Sequence, residues 1–426
     1  MLITKIKQRI SSQFLRNVGW LGGAELVNRV FRLGTTVTIA RLLNSYDYGL
    51  IAIVLTTNEF ATVFTLRSGI GSKIIQAPEQ DVEIICQTSY WLNWIVCGIL
   101  FILQCSLAFP VALFYRNNQV IFPICVMALV YLMLPTFAVQ SALIQRENRL
   151  KITAICNATQ SILSNTLTII MALLGLGMWA VVLPIVLTTP VWIIINRKNH
   201  TWRSSKSFTL IQWQEIIRFA KNILGVELLN KLRANLDYLL VGRFLSVDAL
   251  GLYYFAFNAG LGISMNVINT LTWSLYPHLC AARADFYQLK NRYFSSLKTI
   301  VLIVLPLVFL QSSLAPFYVP IVFGQKWVPA IPVLILICLS ALPRPFAEAA
   351  SMLLNSVDKS HINLYWNLIF TVIFTISLLV AVKWGIIGVA VAVLITHVLA
   401  LPIFSIWTSR LLLKKNAYFE ILEEKL

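Results

Sequence analysis

Ionisable residues that recur at helical spacing inside apolar sequence are the first chemistry this chain offers. Glu25, Asn28, Arg29 and Arg32 stand at i, i+3, i+4 and i+7, so a helix places them on one stripe of an otherwise apolar segment. Two hundred and two residues later, Glu227, Asn230, Lys231, Arg233 and Asp237 cover a broader arc of a second such segment. Two cations to one acid in the first stretch leave surplus positive charge that suits a phosphate or pyrophosphate. Internal pairing is the competing reading, Glu25 with Arg29 and Glu227 with Lys231, each at i,i+4. Asn58 and Glu59 add polarity to the next segment, where a buried Glu59 suits either proton coupling or a structural pairing with a lobe arginine. Arg67 lies near the end of that segment, close enough to snorkel. Farther on, Pro343-Arg344-Pro345 followed by Glu348 breaks a helix and sets charge beside the break, with Arg344 and Glu348 again spaced to satisfy each other.

These groups must be positioned by membrane-spanning helices. Of 426 residues, 58% are hydrophobic and only 12% charged, against about 25% charged in a soluble domain. Apolar stretches long enough for the roughly 20 residues of a spanning helix are read at 18–41, 48–70, 86–110, 119–143, 152–175, 177–196, 216–242, 249–277, 296–321, 330–354, 361–383 and 385–412. The predicted fold class is an all-α integral membrane protein of about 12 transmembrane helices. A charge at the bilayer centre costs at least about 2.5 kcal/mol, so the polar stripes cannot face lipid.

Net charge is +17. Its Lys and Arg sit in short segments between apolar runs, which makes them topology signals and excludes a nucleic-acid reading. About 20 fall on the side of both termini and about five on the other, placing both termini in the cytoplasm. Seven scattered cysteines and four single histidines form no metal-ligand spacing. No nucleophile with a base and no phosphate-cradling glycine loop appears, and no loop exceeds about 20 residues, so the chain is read as a non-enzyme without cofactor or metal, with ion or proton coupling left open.

Alignment of the two polar stretches reveals an internal repeat. Gly23, Glu25, Leu26, Asn28 and Arg29 match Gly225, Glu227, Leu228, Asn230 and Lys231 without gaps, and the same offset pairs Arg41 with Arg243 and Gly49 with Gly251. Parallel six-helix repeats make two lobes rocking about a midplane site. The predicted organisation is a cytoplasmic amphipathic lead-in at 1–17, an N-lobe at 18–196, a cytoplasmic inter-lobe loop at 197–215 acting as hinge, a C-lobe at 216–412 and a cytoplasmic tail at 413–426.

Several segments carry a resemblance: Ala40-Arg41-Leu42-Leu43 through Tyr48-Gly49, Ala142 through Lys151 with Gln145-Arg146-Glu147, Gly175 through Val181, and Phe323-Gly324 through Ala330. Together they resemble the polysaccharide exporter and flippase family, within the superfamily that also holds multidrug efflux exporters and lipid II flippases. The resemblance implies a bacterial inner-membrane protein that moves an undecaprenyl-pyrophosphate-linked oligosaccharide or related glycan to the periplasmic leaflet by alternating access, alongside other polysaccharide assembly proteins. It also implies a cationic central cavity, for which Arg29, Arg32, Lys231, Arg233 and Arg344 are the candidate substrate-binding residues. Glu25, Asn28, Glu59, Glu227, Asn230, Asp237 and Glu348 are the candidate coupling or cavity groups. The rival functions are a multidrug exporter on the same fold, which calls for an acidic, aromatic cavity, and an integral-membrane polymerase or ligase, which calls for a larger outer loop.

Overall fold

A computed structural model describes residues 28–413 except 30, 206–207, 283–284 and 358, without side chains at 68, 219, 222–223, 226, 263, 266, 270, 273–274 and 277. The lead-in at 1–17, Glu25 with its pairing to Arg29, the repeat motif before Asn28, Arg283 and the tail beyond Leu413 lie outside the described residues. Every regular element that is described is helical. Among the described residues, five helical stretches are long and apolar enough to cross a membrane, or six if the bent pair Asn118–Met133 and Pro135–Arg146 is one span. The chain is a multi-pass membrane protein.

Proline and turn chemistry divide several of the stretches read as continuous. Pro135 begins a new helix, and the two arms of its pair are bent by 53°. Leu66, left-handed at φ 54°, separates Ser45–Val63 from Arg67–Gln76. Thr189 and Pro190 separate Trp179–Thr188 from Pro190–Asn199. The break expected at Pro343 is present: Ile331–Leu339 ends in a turn and Arg344 begins the helix Arg344–Ser356. Elsewhere the helices outrun the apolar sequence, as in Trp213–Phe244, Val247–Cys280 and Phe286–Tyr318.

By contact the chain divides between Asn235 and Leu236, inside the helix Trp213–Phe244. In the first unit, the loop read from sequence as a hinge is fastened along its length. Thr88 Oγ1 donates to the Ile211 carbonyl at 2.7 Å, Trp202 Nε1 to Glu83 Oε2 at 3.1 Å, and the Ser205 backbone N–H to Gln87 Oε1 at 3.0 Å. Lys73 meets Glu215 at 3.3 Å just beyond it. Arg146 caps the end of Arg67–Gln76, donating through Nη1 to the carbonyls of Ile74, Ile75 and Ala77 at 2.6–3.0 Å and through Nη2 to Glu79 at 3.0 Å.

The glycines of the familial segments sit where backbone conformation and space require them. Gly175 and Gly177 take φ of 75° and 54° between Leu150–Leu173 and Trp179–Thr188, and a Cβ on Gly177 would lie 2.8 Å from Asp47 Oδ1. In the second unit, Gly324 at φ 108° turns the chain so that Trp327 stacks on Phe255 with centroids 3.9 Å apart, both fully buried.

Two predictions follow from these contacts. Arg146→Ala should lower the unfolding free energy of the detergent-purified protein by about 1.5–3 kcal/mol, because it removes charge-assisted bonds to three carbonyls; thermal unfolding reads this directly. Burial pushes the Glu147 carboxyl up, but the bonds and charges of Arg149 and His200, at 3.0 and 3.2 Å, outweigh it and hold the carboxyl below its usual range. A carboxyl lowered on folding stabilises above its unfolded pKa of about 4.3 and loses that contribution as pH falls through the folded value. Wild type and Glu147→Gln should therefore differ at pH 7, and the difference should shrink as pH falls from the unfolded pKa through the lower folded value.

Candidate functional site

The helix Ser45–Val63 starts where Asn44 Oδ1 accepts the Asp47 backbone N–H at 2.8 Å. Its first turns are buried from Tyr48 to Val54, after which Thr56, Asn58 and Glu59 bring polar atoms into an apolar segment. Lys231 and Asn235, one turn apart on Trp213–Phe244, meet them. Lys231 Nζ lies 2.8 Å from Glu59 Oε2. Asn235 Nδ2 donates to the same oxygen at 3.4 Å and to the Lys231 carbonyl at 3.0 Å, and Thr56 Oγ1 lies 3.5 Å from Asn235 Oδ1. Thr56 and Asn235 are buried, whereas the side chains of Lys231 and Glu59 are 42% and 46% exposed. The cluster therefore has a closed floor and an open ion pair.

The i,i+4 pairing of Glu227 with Lys231 is not formed, because Lys231 reaches across to Glu59 instead; Glu227 makes no ion pair among the described residues. Arg233 Nη2 donates to Asn230 Oδ1 at 3.4 Å. On the first helix Asn28 Oδ1 accepts from Ser161 Oγ, and Asn165 Nδ2 binds the same hydroxyl at 3.0 Å. Arg32 is exposed, and Arg29 is half-buried.

Behind Glu59, Asn58 joins a second polar group. Tyr131, fully buried, sets its hydroxyl 2.8 Å from Gln104 Oε1 and 3.0 Å from Asn58 Oδ1, and Gln104 Nε2 donates to the Ile124 carbonyl at 2.9 Å. Sequence reasoning missed Gln104, Tyr131, Ser161 and Asn235. A lone Gln104 between apolar neighbours signalled a required partner, and Asn235 falls one turn beyond Lys231 on the stripe already marked.

In the second unit the Asp237 carboxylate is 3% exposed and held from two sides. Tyr253 donates its hydroxyl to Oδ2 at 2.8 Å, and the Tyr238 backbone N–H donates to Oδ1 at 2.9 Å. The Arg344 charge also acts on this carboxylate, while its Nη1 lies 3.5 Å from Met265 Sδ. Among the described residues no Arg344–Glu348 ion pair is recorded, and the Arg344 charge acts on Asp237, 107 residues away in sequence. Asp237 is thus a closed acid, and Glu59 is an accessible one whose cationic partner Lys231 is also half-exposed.

Against known proteins, the family described as polysaccharide biosynthesis protein matches residues 38–332. An uncharacterized membrane protein in the cps region of Klebsiella pneumoniae is 23% identical over 89% of this chain and 79% of its own length. The lipopolysaccharide biosynthesis protein WzxC of Escherichia coli is 24% identical over 85% of this chain and 74% of that protein. Among solved structures, the inward closed conformation of the lipid II flippase MurJ aligns with a TM-score of 0.76 at 13% identity over 92% of this chain and 87% of that one; it shares the fold.

The difference between the open and closed acids is measurable. A half-exposed ion pair is worth no more than about 1 kcal/mol, so Glu59→Gln should leave the unfolding temperature almost unchanged. Tyr253→Phe takes a donor from a buried carboxylate and should cost about 1.5–3 kcal/mol. Equal losses for the two variants in thermal unfolding would refute the assignment.

Proposed function

This chain belongs to the polysaccharide biosynthesis protein family, and from that premise we propose that it flips a polyprenyl-pyrophosphate-linked oligosaccharide across the bacterial inner membrane for surface polysaccharide assembly. The observation that carries the reading is the open Lys231–Glu59 pair on helices of a membrane protein. With 48–70 and 216–242 read as spans, half-exposed charges there require water rather than lipid beside them, and a hydrated cationic wall is what a pyrophosphate needs. Asn230 and Arg233 share the helix of Lys231, and Asn28, Arg29 and Arg32 on the helical stretch that precedes Ser45–Val63 are taken to extend the wall.

The proposed architecture is about twelve spans in two six-helix lobes, 18–196 and 216–412, with both termini cytoplasmic, as the repeat and the charge asymmetry indicate. Alternating access carries the headgroup while the prenyl tail stays in lipid. In the binding step the pyrophosphate takes Lys231 from Glu59, which leaves that carboxylate as the candidate coupling group. A multidrug cargo, which is cationic, gains nothing from this surplus of Arg and Lys.

The test is deletion of the gene, complementation with variants, and quantification of lipid-linked intermediates by leaflet. Deletion should trap the lipid-linked unit on the cytoplasmic side and abolish surface glycan, wild type should restore both, and Arg29→Ala with Arg32→Ala should restore neither at normal membrane abundance. Normal surface glycan from the double variant would exclude the cationic-wall mechanism, and drug sensitivity with unchanged glycan in the deletion strain would exclude the flippase.

A further inference from the structure

Away from the Glu59 cluster, the first unit holds a cavity of about 420 Å³ between Arg67–Gln76, Val82–Tyr115 and Pro135–Arg146, within the size range of sites for small ligands. Arg67, Ser72, Asn93, Ser141 and Gln145 supply its polar lining, and Ile70, Ile74 and Ile75 an apolar wall. Two of the polar groups are incompletely used. The Arg67 guanidinium carbon lies 5.6 and 5.5 Å from the ring centroids of Phe137 and Trp192, which fix the group by cation–π contact. It has neither an ion pair nor a side-chain hydrogen bond among the described residues. No acid lines the cavity, and Glu79 and Glu215 pair with Arg146 and Lys73. Asn93 is 1% exposed, and its Oδ1 has no hydrogen-bond partner.

A fixed guanidinium without an anion asks for a two-oxygen acceptor such as a phosphate. A buried amide oxygen without a donor asks for a hydroxyl or amine, since leaving it unpaired costs about 1–3 kcal/mol. We infer that this cavity binds a phosphate-bearing, hydroxylated headgroup, the phosphate on Arg67 and a hydroxyl donating to Asn93 Oδ1, with the isoleucine wall against the carbon skeleton. Such a group comes either from a membrane phosphoglycerolipid or from a soluble sugar phosphate. The inference does not depend on the proposed transport reaction, because no residue of the Glu59 cluster takes part in it.

The full-length protein in zwitterionic nanodiscs is the test material. Phosphatidylglycerol is the lipid probe, phosphatidylmethanol is its anionic counterpart without headgroup hydroxyls, and glycerol 1-phosphate is the soluble probe. Native mass spectrometry should show wild type retaining phosphatidylglycerol over phosphatidylcholine, with about a tenfold loss, or about 1.4 kcal/mol, in Arg67→Gln. Asn93→Leu, similar in size but without the acceptor, should retain both anionic lipids equally where wild type prefers phosphatidylglycerol. Arg67-dependent thermal protection by glycerol 1-phosphate without lipid retention would support the same site with a soluble ligand. Retention and protection unchanged in Arg67→Gln would overturn the proposal. Should that variant fail to assemble, an unaltered lipid preference in Asn93→Leu would overturn it equally. Loss of glycan export in a cell whose Arg67-dependent lipid binding is intact would concern the flippase reading alone.

Discussion

An ionisable side chain amid apolar sequence must be paired or hydrated, and this chain uses both solutions. Asp237 has the first: Tyr253 and the Tyr238 backbone N–H donate to it where solvent does not reach. Glu59 has the second, since its pair with Lys231 leaves nearly half of each side chain exposed. The energetic consequences differ in sign of use. Breaking a buried pair strands a charge and destabilises the protein by several kcal/mol, which makes it a poor place for exchange. Opening an exposed pair costs little, so a ligand can compete for one partner without unfolding the helix that presents it.

The same constraint explains how far the sequence was legible. Apolar length and the absence of other patterns identified a helical membrane protein, and the stripes at Asn28–Arg32 and Glu227–Asp237 stood out because apolar composition does not supply charge. Partners were less legible. Spacing along one helix proposed Glu227 with Lys231 and Arg344 with Glu348, yet Lys231 meets Glu59, 172 residues away, and Arg344 acts on Asp237. An i,i+4 pair is worth only a few tenths of a kcal/mol, so any tertiary partner with better geometry or deeper burial displaces it. Helix breaks were legible where two prolines flank Arg344 and not where a single proline or a left-handed leucine does the work, because proline inside a spanning helix is often accommodated without a break.

The segments that carry the family resemblance do structural work in both units. Gly177 leaves room for Asp47, Arg146 caps a neighbouring helix, and Gly324 turns Trp327 onto Phe255. Each is a position where one residue type alone fits, whether for lack of a Cβ, for a forked cation or for a flat ring. The Glu59–Lys231 cluster and the Arg67 cavity impose weaker local demands: an open ion pair tolerates exchange of its members, and a cavity tolerates a change of lining. Motifs therefore report how these helices are built and jointed, while the chemistry of what passes along or rests against them is written in unpaired or exchangeable polar groups. Arg67 shows the distinction within one side chain, its guanidinium clamped by two rings that fix geometry and its hydrogen-bond donors left for a ligand.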